Sequence, residues 1–219
     1  MAELLVVRHG QASFGAENAA NYDQLSDLGH KQAAFAGACL RDAGWVPDRL
    51  ITGTLQRQKQ TLASMGFAGD PETHAGFNEY DFHNLLSTRF DGNIPDAVRA
   101  DRKTHFRTLR ETILEWQAGG LENAGESWVD FVTRIEAARA FAVQAPAEKV
   151  LVISSGGTIG QLTAACLGAP ATQMLALNLQ VKNTSMTRFI FSNDRFFLHE
   201  FNATPHLTST KRSEYMSYS

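Results

Sequence analysis

Apolar and polar positions follow two rhythms along the chain, and each change of rhythm marks an element. Leu4-Leu5-Val6-Val7 is an unbroken aliphatic run that stops at Arg8-His9-Gly10, the pattern of a strand buried on both faces. After a polar loop, Ser26 can cap a helix in which Ala33, Ala36, Leu40 and Ala43 recur at helical spacing, ended by Gly44 and Pro47. Leu50-Ile51-Thr52 predicts a minimal strand. Thr54 to Met65, with Leu55 and Leu62 on one face, predicts a second helix that carries Arg57 in its first turn. Strand, helix, strand, helix is the order of a parallel α/β sheet.

From His83 to Gly125 no strand pattern is found, whereas Phe106, Leu109, Ile113 and Trp116 mark an amphipathic helix. Ser127, with Asp130 three residues on, caps another helix whose stripe is Trp128, Phe131, Ile135 and Ala138. Lys149 to Ile153 is the clearest strand; it breaks at Ser154-Ser155-Gly156-Gly157 and leads into a helix over Thr158 to Leu167, closed by Gly168 and Pro170. Thr184 to Phe191 and Phe196 to Phe201 read as a hairpin turned by Ser192-Asn193-Asp194. The expected fold is an α/β chain with a mainly parallel central sheet flanked by helices, a helical insertion at about 83–125 and a C-terminal hairpin, all in one domain over 1–219.

Composition narrows the function. Of 219 residues 43% are hydrophobic, with 14 Phe, which is enough to bury a core without staples. Twenty Lys and Arg stand against 23 Asp and Glu, so the net charge of -3 provides no global basic field and excludes nucleic acid as the obvious partner. Cys39 and Cys166 lie in separate helical patterns and read as reduced core thiols. Leu4 to Val7 is far short of a signal-peptide core, and no stretch reaches the roughly 20 apolar residues of a membrane span, so a soluble cytoplasmic protein without membrane contact is expected.

The chemistry gathers where buried strands end, since in parallel sheets those carboxyl ends line the ligand crevice. One end delivers Arg8 and His9, a second Arg57, and a third Ser155, Gly156 and Gly157 with a helix start behind them. Two guanidinium groups can fork onto phosphate oxygens, and backbone N–H groups at a helix start add donors. A neutral His among them is a nitrogen nucleophile. Glu79, between Phe77 and Phe82, is the candidate proton donor, a carboxyl partly withdrawn from water. Taken one at a time these are weak signals. A lone His at a strand end equally suits a hydrogen-bonded structural role, Arg57 a solvated charge, and the Ser-Ser-Gly-Gly turn a tight connection; neither a dinucleotide fingerprint nor a Walker loop is present.

Together the segments resemble the histidine phosphatase superfamily, the phosphoglycerate mutase-like family. Leu5-Val6-Val7-Arg8-His9-Gly10-Gln11 and Leu25-Ser26-Asp27-Leu28-Gly29-His30-Lys31-Gln32-Ala33 carry the resemblance, and Thr54 to Thr61, Phe77 to Phe82, Gly125-Glu126-Ser127 and Val150 to Gly157 follow in order. It implies a nucleophilic His9 that becomes a phosphohistidine, phosphate oxygens held by Arg8, Arg57, Ser155 and Gly156, and Glu79 protonating the leaving oxygen. It implies no cofactor and no metal, in agreement with the lack of His-Glu-x-x-His and of cysteine pairs at ligand spacing.

The pattern departs at Ser155, where the family's turn usually carries His. A hydroxyl donates one hydrogen bond but brings no charge, and a lost donor at such a site costs on the order of 10²- to 10³-fold in rate. His83, four residues after Glu79, is the nearest substitute in sequence. The implied function is a phosphomonoesterase acting on a small-molecule phosphate ester, with the oligomeric state left open. Its alternatives are a catalytically weak phospholigand-binding or regulatory protein and, less well matched, a phosphoglycerate mutase, because Gln11-Ala12-Ser13-Phe14-Gly15 stands where mutases have Trp-Asn and a longer loop. Arg99, Arg102, Lys103, Arg107 and Arg110 form a solvated face or a lid that attracts phosphate. Phe82, Leu85 and Leu86 suit either the core or the pocket wall, and the Ser- and Thr-rich tail after Pro205 is expected to be mobile.

Overall fold

In a computed structural model describing residues 1–13, 23–144 and 146–218, six strands form one sheet in the order β3-β2-β4-β1-β5-β6. The central strand, β1 (Ala2–Arg8), pairs in parallel with β4 (Lys149–Ser154) and antiparallel with β5 (Met186–Ser192). β2 (Arg49–Thr52) runs parallel to β4, and the two-residue β3 (Glu72–Thr73) runs parallel to β2. β6 (Arg195–Ala203) closes the expected hairpin with β5 and so extends the same sheet.

Side chains alternate across a strand, and here both faces are buried. On one face Leu5, Val7, Leu151 and Ile153 meet Ala33, Ala36 and Leu40 of α1 (Asp27–Asp42) and Leu62 and Met65 of α2 (Gln56–Met65). On the other, Leu4, Val6, Val150 and Val152 join a core shared by α3 (Phe82–Arg89), α5 (Arg102–Gln117), α6 (Trp128–Ala142) and α7 (Gly156–Cys166), with Trp116 and Phe131 among its largest members. Each fully buried Leu or Val of β1 contributes about 1.5–3 kcal/mol relative to exposure. That burial pins the end of β1, and with it Arg8 and His9. Short helices α4 (Asp96–Ala100), α8 (Thr172–Asn178) and α9 (Ser209–Tyr215) complete the chain.

Several boundaries differ from expectation for local reasons. α2 begins at Gln56 rather than Thr54, because the Thr54 N–H is held outside the helix by Asn78 Oδ1 at 2.8 Å. α7 begins at Gly156, two residues early, which puts Ser155 at its N-cap. β3 is two exposed polar residues and has no pattern to read. Phe106 leaves the expected stripe and is 37% exposed, and both free cysteines are half-buried rather than core. The tail after Pro205 is packed: Leu207 is buried, and Gln32 Nε2 donates to Tyr215 O at 2.6 Å and to Ser217 Oγ at 2.8 Å.

Candidate active site

The β1–β4 register sets Arg8 opposite Ser154, so the residues that follow, His9 and Ser155, leave the sheet side by side. The loop after β1 is tied at nearly every backbone group. His9 N–H donates to Ser154 O at 2.9 Å, Gly10 N–H to Thr61 Oγ1 at 3.0 Å and Gln11 N–H to Gln32 Oε1 at 2.9 Å. Asn183 Nδ2 donates to His9 O at 3.2 Å. Gly10 and Gly29 touch backbone to backbone, since a Cβ on Gly10 would lie 2.5 Å from Gly29 O. The spacings that carried the resemblance are thus the braces of one loop.

His9 is buried, 3% exposed. Its Nδ1–H donates to Gly10 O at 2.7 Å, and Arg57 Nε–H donates to its Nε2 at 3.2 Å, so the lone pair lies on Nε2. Burial, then the positive charges of Arg57 and Arg8, hold its pKa well below the usual 6.5. Arg57 is buried too, and Asp23 Oδ1 accepts from its Nη1 at 2.9 Å. Arg8 Nη1 donates to Val181 O, and Gly156 lies against the Arg8 guanidinium, 3.5 Å from where a Cβ would sit. Arg8, Arg57, His9, Ser155 and Gly156 therefore lie near one another at the strand ends.

Glu79 also arrives, by a different route from the one expected. Phe77 is core and Phe82 packs on that core, so they do not make its surroundings. Both carboxylate oxygens instead accept from Gly157 N–H, at 3.1 and 3.0 Å, at the start of α7. One of the backbone donors anticipated for phosphate is thus taken by Glu79. Gly157 has no room for a side chain, as a Cβ would come within 2.3 Å of Glu79 Oε1 and 2.4 Å of the Tyr80 ring. The segment is held from behind by Arg134, which donates to Gly76 O at 3.1 Å and Asn78 O at 2.9 Å and is paired with Glu126. That pairing gives Gly125-Glu126-Ser127 its purpose, with Ser127 capping α6.

Other candidates are left outside. His83 is exposed on α3, and no hydrogen bond among the described residues links it to the His9 cluster. Lys103, Arg107 and Arg110 are exposed on α5; the side chains of Arg99 and Arg102, and residues Phe14 and Gly15, lie outside the described residues. Leu85 and Leu86 are buried, and Leu85 with Phe82 belongs to the core. Asp23, Gln58, Arg134 and Asn183 were missed. Their only sequence signal was position: Gln58 next to Arg57, and Asp23 just ahead of Leu25-Ser26. Among the described residues no group of three or more His, Cys, Asp or Glu could hold a metal, and no helix is long and apolar enough to cross a membrane.

Behind the loop, Thr184 sits at φ +56°, rare for a β-branched residue, and accepts from His206 Nε2 at 3.0 Å while donating to Asn183 O at 2.7 Å. Among the described residues the buried His206 Nδ1 has no hydrogen-bond partner, and burial with help from Lys211 lowers its pKa to about 4. Below pH 6.5 the unfolded chain takes up a proton that the folded one refuses until about pH 4. Stability should therefore fall by about 3 kcal/mol across that window and be independent of His206 above it. Urea midpoints at pH 7 and 4.5 test this, and His206→Gln, which keeps a donor for Thr184, is expected to flatten the loss to the share left by His9.

An imidazole held by a guanidinium group, at the carboxyl ends of parallel strands and beside a helix start, is an arrangement of an α/β protein that suits an anion. The chain belongs to the histidine phosphatase superfamily (branch 1), whose family model matches residues 4–204. The fold is that of a mycobacterial glucosyl-3-phosphoglycerate phosphatase solved with inorganic phosphate, 24% identical with a TM-score of 0.68, covering 95% of this chain and 100% of that one. It is likewise that of a phosphoserine phosphatase mutant from Entamoeba histolytica in complex with phosphoserine, 18% identical with a TM-score of 0.65, covering 95% and 100%. A curated 2,3-bisphosphoglycerate-dependent phosphoglycerate mutase from Chelativorans sp. (strain BNC1) is 39% identical over 96 residues, 40% of this chain and 47% of that protein, so the match spans about half the relative's length.

Proposed function

We propose that this chain is a phosphomonoesterase that works through a phosphohistidine at His9 on a small phosphorylated substrate. The observation that carries the reading is the His9 tautomer, with Nδ1–H anchored on Gly10 O and Nε2 facing Arg57. In this reading the Nε2 lone pair attacks phosphorus and the ester P–O bond breaks as Glu79 gives the leaving oxygen a proton. Glu79 then takes a proton from the water that attacks phosphorus as the P–N bond breaks, releasing inorganic phosphate and neutral His9. Arg8 and Arg57 hold the non-bridging oxygens, where charge shifts in the transition state. Ser155 stands where the family's turn carries His and donates a neutral hydrogen bond. The helices over about 83–125 form the cap of a single phosphoglycerate mutase-like domain. The phosphate and phosphoserine bound by the two solved relatives support the ligand class.

The test is to incubate the protein with a radiolabelled aryl phosphate and quench it in acid and in alkali. An acid-labile, alkali-stable label with release of phosphate is expected. Neither label nor turnover, with phosphate still bound, would point to a phospholigand-binding protein. Isomerisation of added phosphoglycerate faster than hydrolysis would point to the mutase that the Chelativorans match favours.

A further inference from the structure

Gln58 follows Arg57 in the first turn of α2 and is fully buried, an unusual place for a long carboxamide. Its Nε2 donates to Phe77 O at 2.8 Å and to Ser155 Oγ at 2.9 Å, and its Oε1 accepts from Leu55 N–H at 3.4 Å. The amide is also packed in place, since a Cβ on Gly53 would lie 2.0 Å from Gln58 Oε1. Both N–H groups of the carboxamide are thus spent, one of them on the hydroxyl of Ser155.

A hydroxyl has one proton and two lone pairs. Because Ser155 Oγ receives a hydrogen bond from Gln58, its own proton must point elsewhere. Ser155 is fully buried at the N-cap of α7, yet its side chain makes no capping bond to that helix. No further hydrogen bond of Ser155 Oγ occurs among the described residues. The proton therefore has a fixed origin and no acceptor among the described residues, in a residue that the β1–β4 register sets beside His9. Gln58 can itself accept nothing from Ser155 without giving up the bond to Phe77 O, which also receives Ser154 Oγ at 2.8 Å.

We infer that Gln58 is a positioning residue that fixes Ser155 as a hydrogen-bond donor to an oxygen of the bound phosphoryl group. The inference rests on the phosphate reading of the pocket. It makes Gln58 and Ser155 one neutral unit, preorganised by the Phe77 carbonyl, so no reorientation is needed when charge builds on the phosphoryl oxygens.

The experiment is a double-mutant cycle of Gln58→Met, which keeps the shape without the donors, and Ser155→Ala. Inorganic phosphate affinity is read by calorimetry and kcat and KM with an aryl phosphate, while thermal unfolding checks the fold. Gln58→Met should lower kcat by about 10- to 100-fold with a smaller change in KM, and Ser155→Ala by on the order of 10²-fold. The double variant should match Ser155→Ala within about twofold, because a unit is lost only once. Wild-type values in Gln58→Met, or losses that multiply, overturn the proposal. Should Gln58→Met not fold, Ser155→Ala alone decides: unchanged kcat and phosphate affinity overturn it, and losses in both support it. Where hydrolysis is absent altogether, phosphate affinity still reads the effect. Wild type that binds no phosphate at all removes the underlying reading and this proposal with it, whereas binding that neither variant weakens overturns this proposal alone.

Discussion

Replacing His9 by Ala is expected to lower phosphomonoester turnover by on the order of 10⁴-fold or more, and to abolish the acid-labile label while inorganic phosphate still binds. The size follows from the role: Nε2 carries the lone pair of the His9 ring, 3.2 Å from Arg57 Nε, and without it water must attack the ester directly. Binding survives because Arg8, Arg57 and the start of α7 are placed by strand ends and helix starts rather than by the imidazole. The same surroundings set the pH profile. Burial and two positive neighbours keep His9 neutral to well below pH 6.5, so kcat/KM should stay level through pH 6.5 and fall only at distinctly lower pH. A variant that keeps more than about a tenth of the wild-type rate, folded by thermal unfolding, would retire the phosphohistidine.

Arg57→Ala should cost on the order of 10³-fold in kcat/KM, more than one lost donor. Three effects coincide. The fork onto phosphate disappears, Nε no longer orients His9, and Asp23, 2.9 Å from the guanidinium in the native protein, keeps its negative charge near the proposed phosphate pocket without a positive partner in Arg57. Adding Asp23→Asn should therefore recover part of the loss, about tenfold, read as kcat/KM with an aryl phosphate. Arg57→Lys should not rescue, since an ammonium cannot serve His9, Asp23 and phosphate at once. The acid limb of kcat/KM should also move upward in Arg57→Ala while staying below pH 6.5, because the largest cause of the lowered His9 pKa is burial. A limb that does not move would mean that the Arg57 charge is not felt at His9.

Much of this architecture was legible in the chain. Leu4 to Val7 and Val150 to Ile153 are buried on both faces, so their aliphatic runs announced central strands, and the polar residues that follow had to emerge at the crevice. Gln32 and Thr61 were visible through their spacing, though the purpose of that spacing, to hold the N–H groups of Gln11 and Gly10, was not. The hydrogen bond from Gln58 to Ser155 joins residues 97 positions apart, and that from Arg134 to Asn78 O joins residues 56 apart. Such bonds exist only once the sheet order is known, and periodicity carries no sheet order. The apolar flanks of Glu79 misled for a related reason: Phe77 closes a one-turn 3-10 helix (Ala75–Phe77) and Phe82 opens α3, so both rings turn to the core while the carboxylate accepts from the first turn of α7. The tail looked mobile because its composition is polar. Its anchors, Gln32 and Asn183, are buried amides that compositional reading counts as surface.

The Asn183 amide that steadies the His9 carbonyl stands 174 positions later in the chain. β1 finds its two edges in β4 (Lys149–Ser154) and β5 (Met186–Ser192), both far downstream of it in the chain. Its run of Leu4, Leu5, Val6 and Val7 must therefore stay unpaired until those distant segments are made, a long exposure for an unbroken aliphatic segment. The His9 imidazole is thus made well before its braces, so a nascent chain stalled before β5 carries it without a site around it.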